Sequence, residues 1–407
     1  MKNNKKLVVW GAGNMSDIFL ENYCKELPEF IIDNDKSKAG MYFHGLLIKH
    51  PDEIDEWKNL HIIIASKADY TISNQLMGYG LEPIEDFKSY REFICDYISM
   101  KDVENVLKEN LLSTEEIETF EFRVLNRMEY EKVYNSHKRF INYENILAGL
   151  LWEMPGKQGI YYGKCEVCNT ESKMMIDFMF ANGKRPAWRE SVVCPECLCN
   201  SRMRFISQKV LKEYEKGMKV YMYERITNTY MKLANKIDNL VGSEYFGDSY
   251  VSGQMISGVE DINGNLLNEP IMHQNALNLS FENNSFDIMI SCDVFEHVTD
   301  YEKAFSEAAR CLKEGGKLIM TVPLYYNQDE TEIRAIIDEN GEIKHLMEPQ
   351  YHGNPMSGQG SLAFQIFGWD IVDKLKKCGF KDSYAVAYYG VNKGYLGYLP
   401  VYFEAIK

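Results

Sequence analysis

Apolar residues in this chain fall into short, often β-branched runs that alternate with helix-compatible stretches. Lys6 to Trp10 is such a run, followed at once by Gly11-Ala12-Gly13 and then by a helix-compatible stretch from Met15 to Glu26. Phe30-Ile31-Ile32 ends in Asp33-Asn34-Asp35, and Leu60 to Ala65 ends in Ser66. Strands alternating with helices predict a small parallel α/β domain over residues 1–87. Over residues 88–158 the pattern changes to long, charged, amphipathic stretches such as Val103 to Leu112 and Thr114 to Asn126, which predict a helical connector. After Lys219 strands and helical segments alternate again to the C-terminus. There Ser285 to Asp293 reads as a buried strand opening into a loop, and Tyr301 to about Leu312 as a helix. Lys313-Glu314-Gly315-Gly316 reads as a sharp turn, and Lys317 to Val322 as a further strand ending in Pro323.

The length of 407 residues implies two or three domains. With 45% apolar and 26% charged residues the composition is that of a globular protein. No apolar run approaches the roughly 18 to 20 residues that cross a bilayer. The start, MKNNKKLVVWGAG, has too short an apolar run for a secretory signal, so the expected location is the cytoplasm. A net charge of −15 without a compensating basic stripe argues against a nucleic-acid partner. Ten cysteines in a chain expected in a reducing compartment point to metal ligation instead of disulfides.

Cys165-x2-Cys168 and Cys194-x2-Cys197 form two knuckles separated by 25 residues. Such pairs supply the four thiolates of a tetrahedral zinc site, because a two-residue gap lets both sulfurs of a knuckle reach one ion. With no histidine nearby and four ligands available, the expected site is closed and structural; Cys199 is a near neighbour, and four buried thiols are the alternative. The module, taken as residues 159–212, carries Trp188, Arg189, Arg202 and Arg204.

Gly11 and Gly13 after a strand, with Asp33 about 20 residues further on at the end of the next strand, form part of a dinucleotide fingerprint. The third glycine of the pattern falls at Ser16. A nucleotide or nucleotide sugar, a nicotinamide cofactor, and a purely structural or partner-binding role are the readings this leaves. The segment resembles the small Rossmann-like domains that accompany sugar-modifying enzymes of surface-polysaccharide pathways.

The string from Leu279-Ser280-Phe281 through FDIMISCDVFEHV to LKEGGKLIMTVPL resembles the fourth and fifth strands of class I S-adenosylmethionine-dependent methyltransferases. Ser243 to Gly247, Tyr351-His352-Gly353-Asn354-Pro355 and Phe367-Gly368-Trp369-Asp370 resemble a branch of that family associated with cell-surface polysaccharide loci, in which a zinc ribbon precedes the catalytic domain. The resemblance implies an α/β chain with four parts: the Rossmann-like domain, the helical connector, the zinc ribbon and a seven-stranded, doubly wound methyltransferase domain over residues 213–407. It implies S-adenosylmethionine as donor, with a structural Zn2+ ion and a nucleotide in the N-terminal domain. The expected donor positions are the strand ends, where open α/β sheets bind ligands: Glu224 after the first, Glu244 closing the second, Asn275 and Ala276 after the third, and Asp293 after the fourth. The family's glycine-rich turn is missing, since Val220 to Glu224 runs straight into Arg225-Ile226-Thr227. If the acceptor is a hydroxyl, His297 and His352 are the candidate bases. The alternative for His297 is that Glu296 and His297 only cap and pack the following helix. The implied acceptor is a sugar or nucleotide sugar; the oligomeric state is left open. Competing readings are a nicotinamide-dependent sugar-nucleotide oxidoreductase or epimerase centred on Gly11 to Asp35, and a non-catalytic scaffold.

Overall fold

The computed structural model describes residues 5–22, 24, 26–66, 68–83, 85–90, 119–152, 157–259, 266–267, 269–354 and 357–407. The described residues fall into two compact units, one within 1–110, 145–162 and 172–187, the other within 111–144, 163–171 and 188–407. Among the described residues no helix is long and apolar enough to cross a membrane.

The N-terminal unit is built on six strands. Lys6–Trp10 lies between Ile31–Ile32 and Leu60–Ile64, all parallel; Leu46–Lys49 and Phe87–Ser89 extend the parallel sheet on either side, and Tyr42–Phe43 closes one edge antiparallel. Its central strands are buried on both faces, so alternate residues serve different layers. Val8, Trp10, Ile62 and Ile64 pack with Leu76 of the Asp69–Gly78 helix, whereas Ile31 packs with Leu46 and Ile48 on the other side. Phe87–Ser89 carries this sheet slightly past the expected boundary at residue 87.

The C-terminal unit holds a nine-stranded sheet. Its central seven strands, in spatial order, are Ile271–His273, Leu240–Glu244, Val220–Met222, Phe286–Cys292, Leu312–Thr321, Val401–Ile406 and Asp382–Tyr389. The first five are mutually parallel, and Val401–Ile406 is antiparallel to both of its neighbours. In chain order this is 3-2-1-4-5-7-6. Helix Ser201–Glu213, capped by the Asn200 side chain on the Met203 N–H, packs Phe205, Ile206 and Val210 onto Val220, Met222, Ile288, Ile290 and Ile319. Helix Tyr301–Cys311 is capped by Asp300 and buries Tyr301, Ala304, Phe305 and Ala308, an i, i+3, i+4, i+7 stripe. Gly242 is required by a close approach, since a Cβ there would lie 2.3 Å from the Tyr230 ring.

Three expectations need correction. Val103 to Leu112 and the first five residues of Thr114 to Asn126 lie outside the described residues, but Phe120–Val124 is a strand, not helix, pairing with Asp382–Tyr389 at the sheet edge. Its alternation FEFRV has the two-residue period of a strand. Lys313 to Gly316 does not reverse the chain: it bulges out of the Leu312–Thr321 strand between the Phe286–Leu312 and Ile288–Lys317 pairs. Tyr351–Asn354 is one arm of a hairpin with Ser357–Leu362 instead of a loop. Within the segment 159–212, residues 163–171 and 188–212 fall in the C-terminal unit.

Candidate active site

The two knuckles meet in the C-terminal unit. Cys165 and Cys197 sulfurs stand 3.8 Å apart, Cys168 and Cys194 sulfurs 4.0 Å, and all four lie within 4.8 Å of one another. A zinc ion with Zn–S bonds of about 2.3 Å places tetrahedral sulfurs roughly 3.8 Å apart, so the donor set fits that ion. Hydrogen bonds from Cys194 and Cys197 hold the Cys165 thiol below its ordinary range, while burial pushes Cys168 up and the hydrogen bond with Cys165 pushes Cys197 up, so the four sulfurs share their protons unequally. Cys199 is buried beside the group without belonging to it. The knuckles rest on the helix Asn228–Ala234 and the turn beyond it, through Lys236 Nζ on Val167 O (2.5 Å), Lys232 Nζ on Glu196 O and Asn228 Nδ2 on Leu198 O.

The same module reaches the end of the fourth strand of the sheet. The Arg189 guanidinium donates to both Asp293 oxygens at 2.7 and 3.0 Å, and Arg202 lies 3.5 Å from Asp293 while also gripping Glu190. The two arginines hold the Asp293 carboxyl far below the usual carboxylate range against the cost of its burial. Asp293 itself sits in the left-handed region at φ 61°, a conformation that carries strain for a residue with a side chain. Its carboxylate is thus committed to the arginines. The sequence named Arg189 and Arg202 only as cargo of the cysteine module; their partner stands 104 residues from Arg189.

Glu224 and Glu244 stand at neighbouring strand ends. Glu224 Oε1 accepts from the Cys292 N–H at 2.5 Å, while its Oε2 is buried with no hydrogen-bond partner among the described residues. Burial, aided by repulsion from Glu244, raises its carboxyl well above the ordinary range. Glu244 accepts from the Ile226 N–H at 2.6 Å, and burial pushes its carboxyl up to about 7. Thr227 caps the helix that follows this turn. Where the glycine-rich loop is missing, therefore, a carboxylate from the next strand organises the turn. Asn275 and Ala276 follow the third strand; Asn275 caps Leu277 N and reaches Asp248 at 3.2 Å, joining the loops after strands two and three.

His297 and His352 come together on Glu296. His297 Nε2 lies 3.6 Å and His352 Nδ1 3.4 Å from Glu296 Oε1, and the two rings are 5.2 Å apart. Glu296 is completely buried, and burial raises its carboxyl despite the nearby imidazoles. The helix is capped by Asp300, so Glu296 and His297 have no capping duty. Next to them a cleft of about 260 Å³ is lined by Arg189, Pro323, Tyr325, Tyr326 and Gln350, among others.

In the N-terminal unit Gly11 adopts φ 118°, and a Cβ there would come within 2.6 Å of Ala65 O, so the turn admits only glycine. Nothing lies within 4 Å of a Cβ built on Gly13. Asp33 Oδ2 accepts from the Ala12 N–H at 2.8 Å and pairs with Lys38 at 3.1 Å, and Oδ1 accepts from Asp35 N–H. Ser16, at the third-glycine position, donates to Gly11 O and Ala65 O, stitching the turn to the sheet.

Residues 251–320 match the family model described as a methyltransferase domain, and residues 3–84 match one described as C2185-like, N-terminal. Among curated proteins, phosphoethanolamine N-methyltransferase 2 of Caenorhabditis elegans is 47% identical over 47 residues, 12% of this chain and 11% of that protein. An uncharacterized protein of Methanocaldococcus jannaschii is 35% identical over 109 residues, 25% of this chain and 48% of that protein. The chain thus spans about half or less of the length of these relatives. Among solved structures, an S-adenosylmethionine-dependent methyltransferase from Mesorhizobium loti has 10% identity and a TM-score of 0.30, covering 50% of this chain and 98% of that one. The 1,6-didemethyltoxoflavin-N1-methyltransferase of Burkholderia thailandensis, solved with S-adenosylhomocysteine, has 11% identity and a TM-score of 0.28, covering 50% and 77%. With the strand order 3-2-1-4-5-7-6 and a methyltransferase-domain match inside it, the C-terminal unit has the class I S-adenosylmethionine-dependent methyltransferase fold.

Proposed function

We propose that this chain transfers the methyl group of S-adenosylmethionine to a hydroxyl of a sugar or nucleotide sugar, with Zn2+ held by Cys165, Cys168, Cys194 and Cys197 as a structural ion. The observation that carries this reading is Glu224: a part-buried residue whose Oε2 is buried without a hydrogen-bond partner among the described residues, beside Glu244, at the strand ends where this fold binds its donor. A cation beside such a carboxyl favours its ionised form, and the donor is a cationic sulfonium with an ammonium group. Glu244 is the candidate for the ribose hydroxyls, and Asn275 and Ala276 for the adenine. In the transfer, the acceptor oxygen forms a bond to the methyl carbon as the carbon–sulfur bond breaks. The sulfur keeps that electron pair, and the acceptor's hydroxyl proton passes to solvent. The enzyme's main task is alignment of the acceptor.

Arg189 and Asp293 are a wall of the site in this reading, since Arg189 also lines the cleft beside Glu296. The Arg189 and Gln350 side chains give that cleft hydrogen-bond donors, as a polyhydroxylated or phosphate-bearing acceptor requires. A nicotinamide-dependent reaction in the N-terminal unit is less well supported, because Asp33, the ribose-binding candidate, spends both oxygens on Ala12, Asp35 and Lys38. The test is incubation of zinc-replete protein with methyl-labelled S-adenosylmethionine and a panel of nucleotide sugars. Label transferred to one of them, and lost in Glu224→Gln, supports the proposal. Donor binding without transfer to any sugar, but with transfer to an amine or a thiol, removes the hydroxyl-acceptor reading.

A further inference from the structure

Glu296, His297 and His352 present three ligand atoms within 4.8 Å of one another, at the end of the strand that closes the donor site and separate from the cysteine cluster. Both Glu296 oxygens are buried with no hydrogen-bond partner among the described residues. A carboxylate buried without partners is costly, and proteins resolve it by pairing or by metal coordination. The imidazole nitrogens face it at 3.4 and 3.6 Å, beyond a good hydrogen bond. Nitrogen and oxygen ligands about 2.1 Å from a shared ion sit roughly 3.0 to 3.4 Å from each other, so the two glutamate–imidazole distances of 3.4 and 3.6 Å are close to those of ligands that share one cation.

The surroundings also select the ligand atoms. His297 Nδ1 donates to Leu362 O at 2.8 Å, which leaves the lone pair on Nε2, the nitrogen facing Glu296. This is how proteins fix the tautomer of a metal-bound histidine, through a backbone carbonyl on the other ring nitrogen. His352 Nε2 meets the Gln350 amide nitrogen at 3.3 Å, so Gln350 touches the triad from the side of the His352 ring away from Glu296. Gln350 also lines the cleft, which places the cleft beside His352.

We infer that Glu296, His297 and His352 form a second metal site, for a divalent cation of the manganese-to-zinc series, whose open positions take an acceptor hydroxyl. Two imidazoles and one carboxylate are a donor set that such ions accept while keeping sites for exogenous oxygen. A bound hydroxyl is more acidic there, which removes the need for either histidine to act as base. The site deepens the methyltransferase reading and its role in the reaction rests on it; its occupancy does not.

Full-length protein carrying a single equivalent of zinc, the amount that the cysteine cluster takes, is titrated by calorimetry with Mn2+ and with Co2+. The expected result is uptake of one further equivalent, weakened at least ~10-fold in His352→Ala and in Glu296→Gln, with both variants still holding the zinc of the cysteine cluster. Absence of uptake of either ion by the wild type, or equal uptake by the wild type and both variants, overturns the site. S-adenosylhomocysteine affinity measured on the same samples judges the methyltransferase reading separately.

Discussion

Asp293 joins three demands in one residue: a left-handed backbone, two arginines from the cysteine module and a place at the head of the fourth strand. Removing its carboxylate leaves Arg189 and Arg202 with Glu190 as their remaining close anion. Asp293→Ala is therefore expected to lower stability by roughly 2 to 4 kcal/mol in chemical denaturation, whereas a loss within a few tenths would mean that the pair is idle. Glu244 gives a pH signature. Its folded carboxyl sits at about 7, above the ordinary value of 4.5, so the folded chain holds that proton more tightly than the unfolded chain. The associated stability is complete below pH ~4.5 and is lost as pH rises toward 7. Glu244→Gln, which lacks this titration, gains stability relative to wild type between pH 5 and 8 by up to about 3 kcal/mol; a difference independent of pH would contradict the assignment. Glu224 shifts in the same direction, so donor affinity should rise with pH as the carboxylate forms beside the cation, readable by calorimetry across a pH series. At this scale the strand-end residues were legible because a strand's last residues are marked by the break in its apolar run. What they touch was not legible. Asp293 with Arg189, and Glu296 with His352, are pairs made by topology across 104 and 56 positions, and local pattern carries no trace of them.

The cysteine module is the element on which most of the site geometry depends. Its knuckles hold the helix Asn228–Ala234 and the turn after it through Lys232, Lys236 and Asn228, and its flanks deliver Arg189 and Arg202. Cys168→Ser is expected to lose bound zinc, by elemental analysis, and to weaken S-adenosylhomocysteine at least ~10-fold even where the fold persists. Unchanged affinity in a zinc-free, folded variant would confine the metal to a local role. The CxxC spacing was plain in the sequence because two ligands per knuckle impose it. The strand Phe120–Val124 was missed because its charged alternation, Glu121 and Arg123, also satisfies an amphipathic helix over so short a window. The hairpin Tyr351–Asn354 with Ser357–Leu362 was read as a loop because its glycines and polar residues lack a β-branched run.

For the whole molecule, the alternation of strands and helices was enough to place two parallel α/β sheets, since each β-branched run ends where its sheet ends. The antiparallel Val401–Ile406, inserted between Leu312–Thr321 and Asp382–Tyr389, is what turns a generic doubly wound sheet into the methyltransferase order, and only pairing reveals it. The net charge of −15 fits a small cationic donor better than a polyanion. The central claim is that the strand ends bearing Glu224 and Glu244 bind the donor without a glycine-rich turn. Calorimetric titration of zinc-replete protein with S-adenosylhomocysteine, alongside Glu244→Ala, tests it most directly. Micromolar binding by the wild type, lost in the variant, is the predicted result; no binding by the zinc-replete wild type would contradict it.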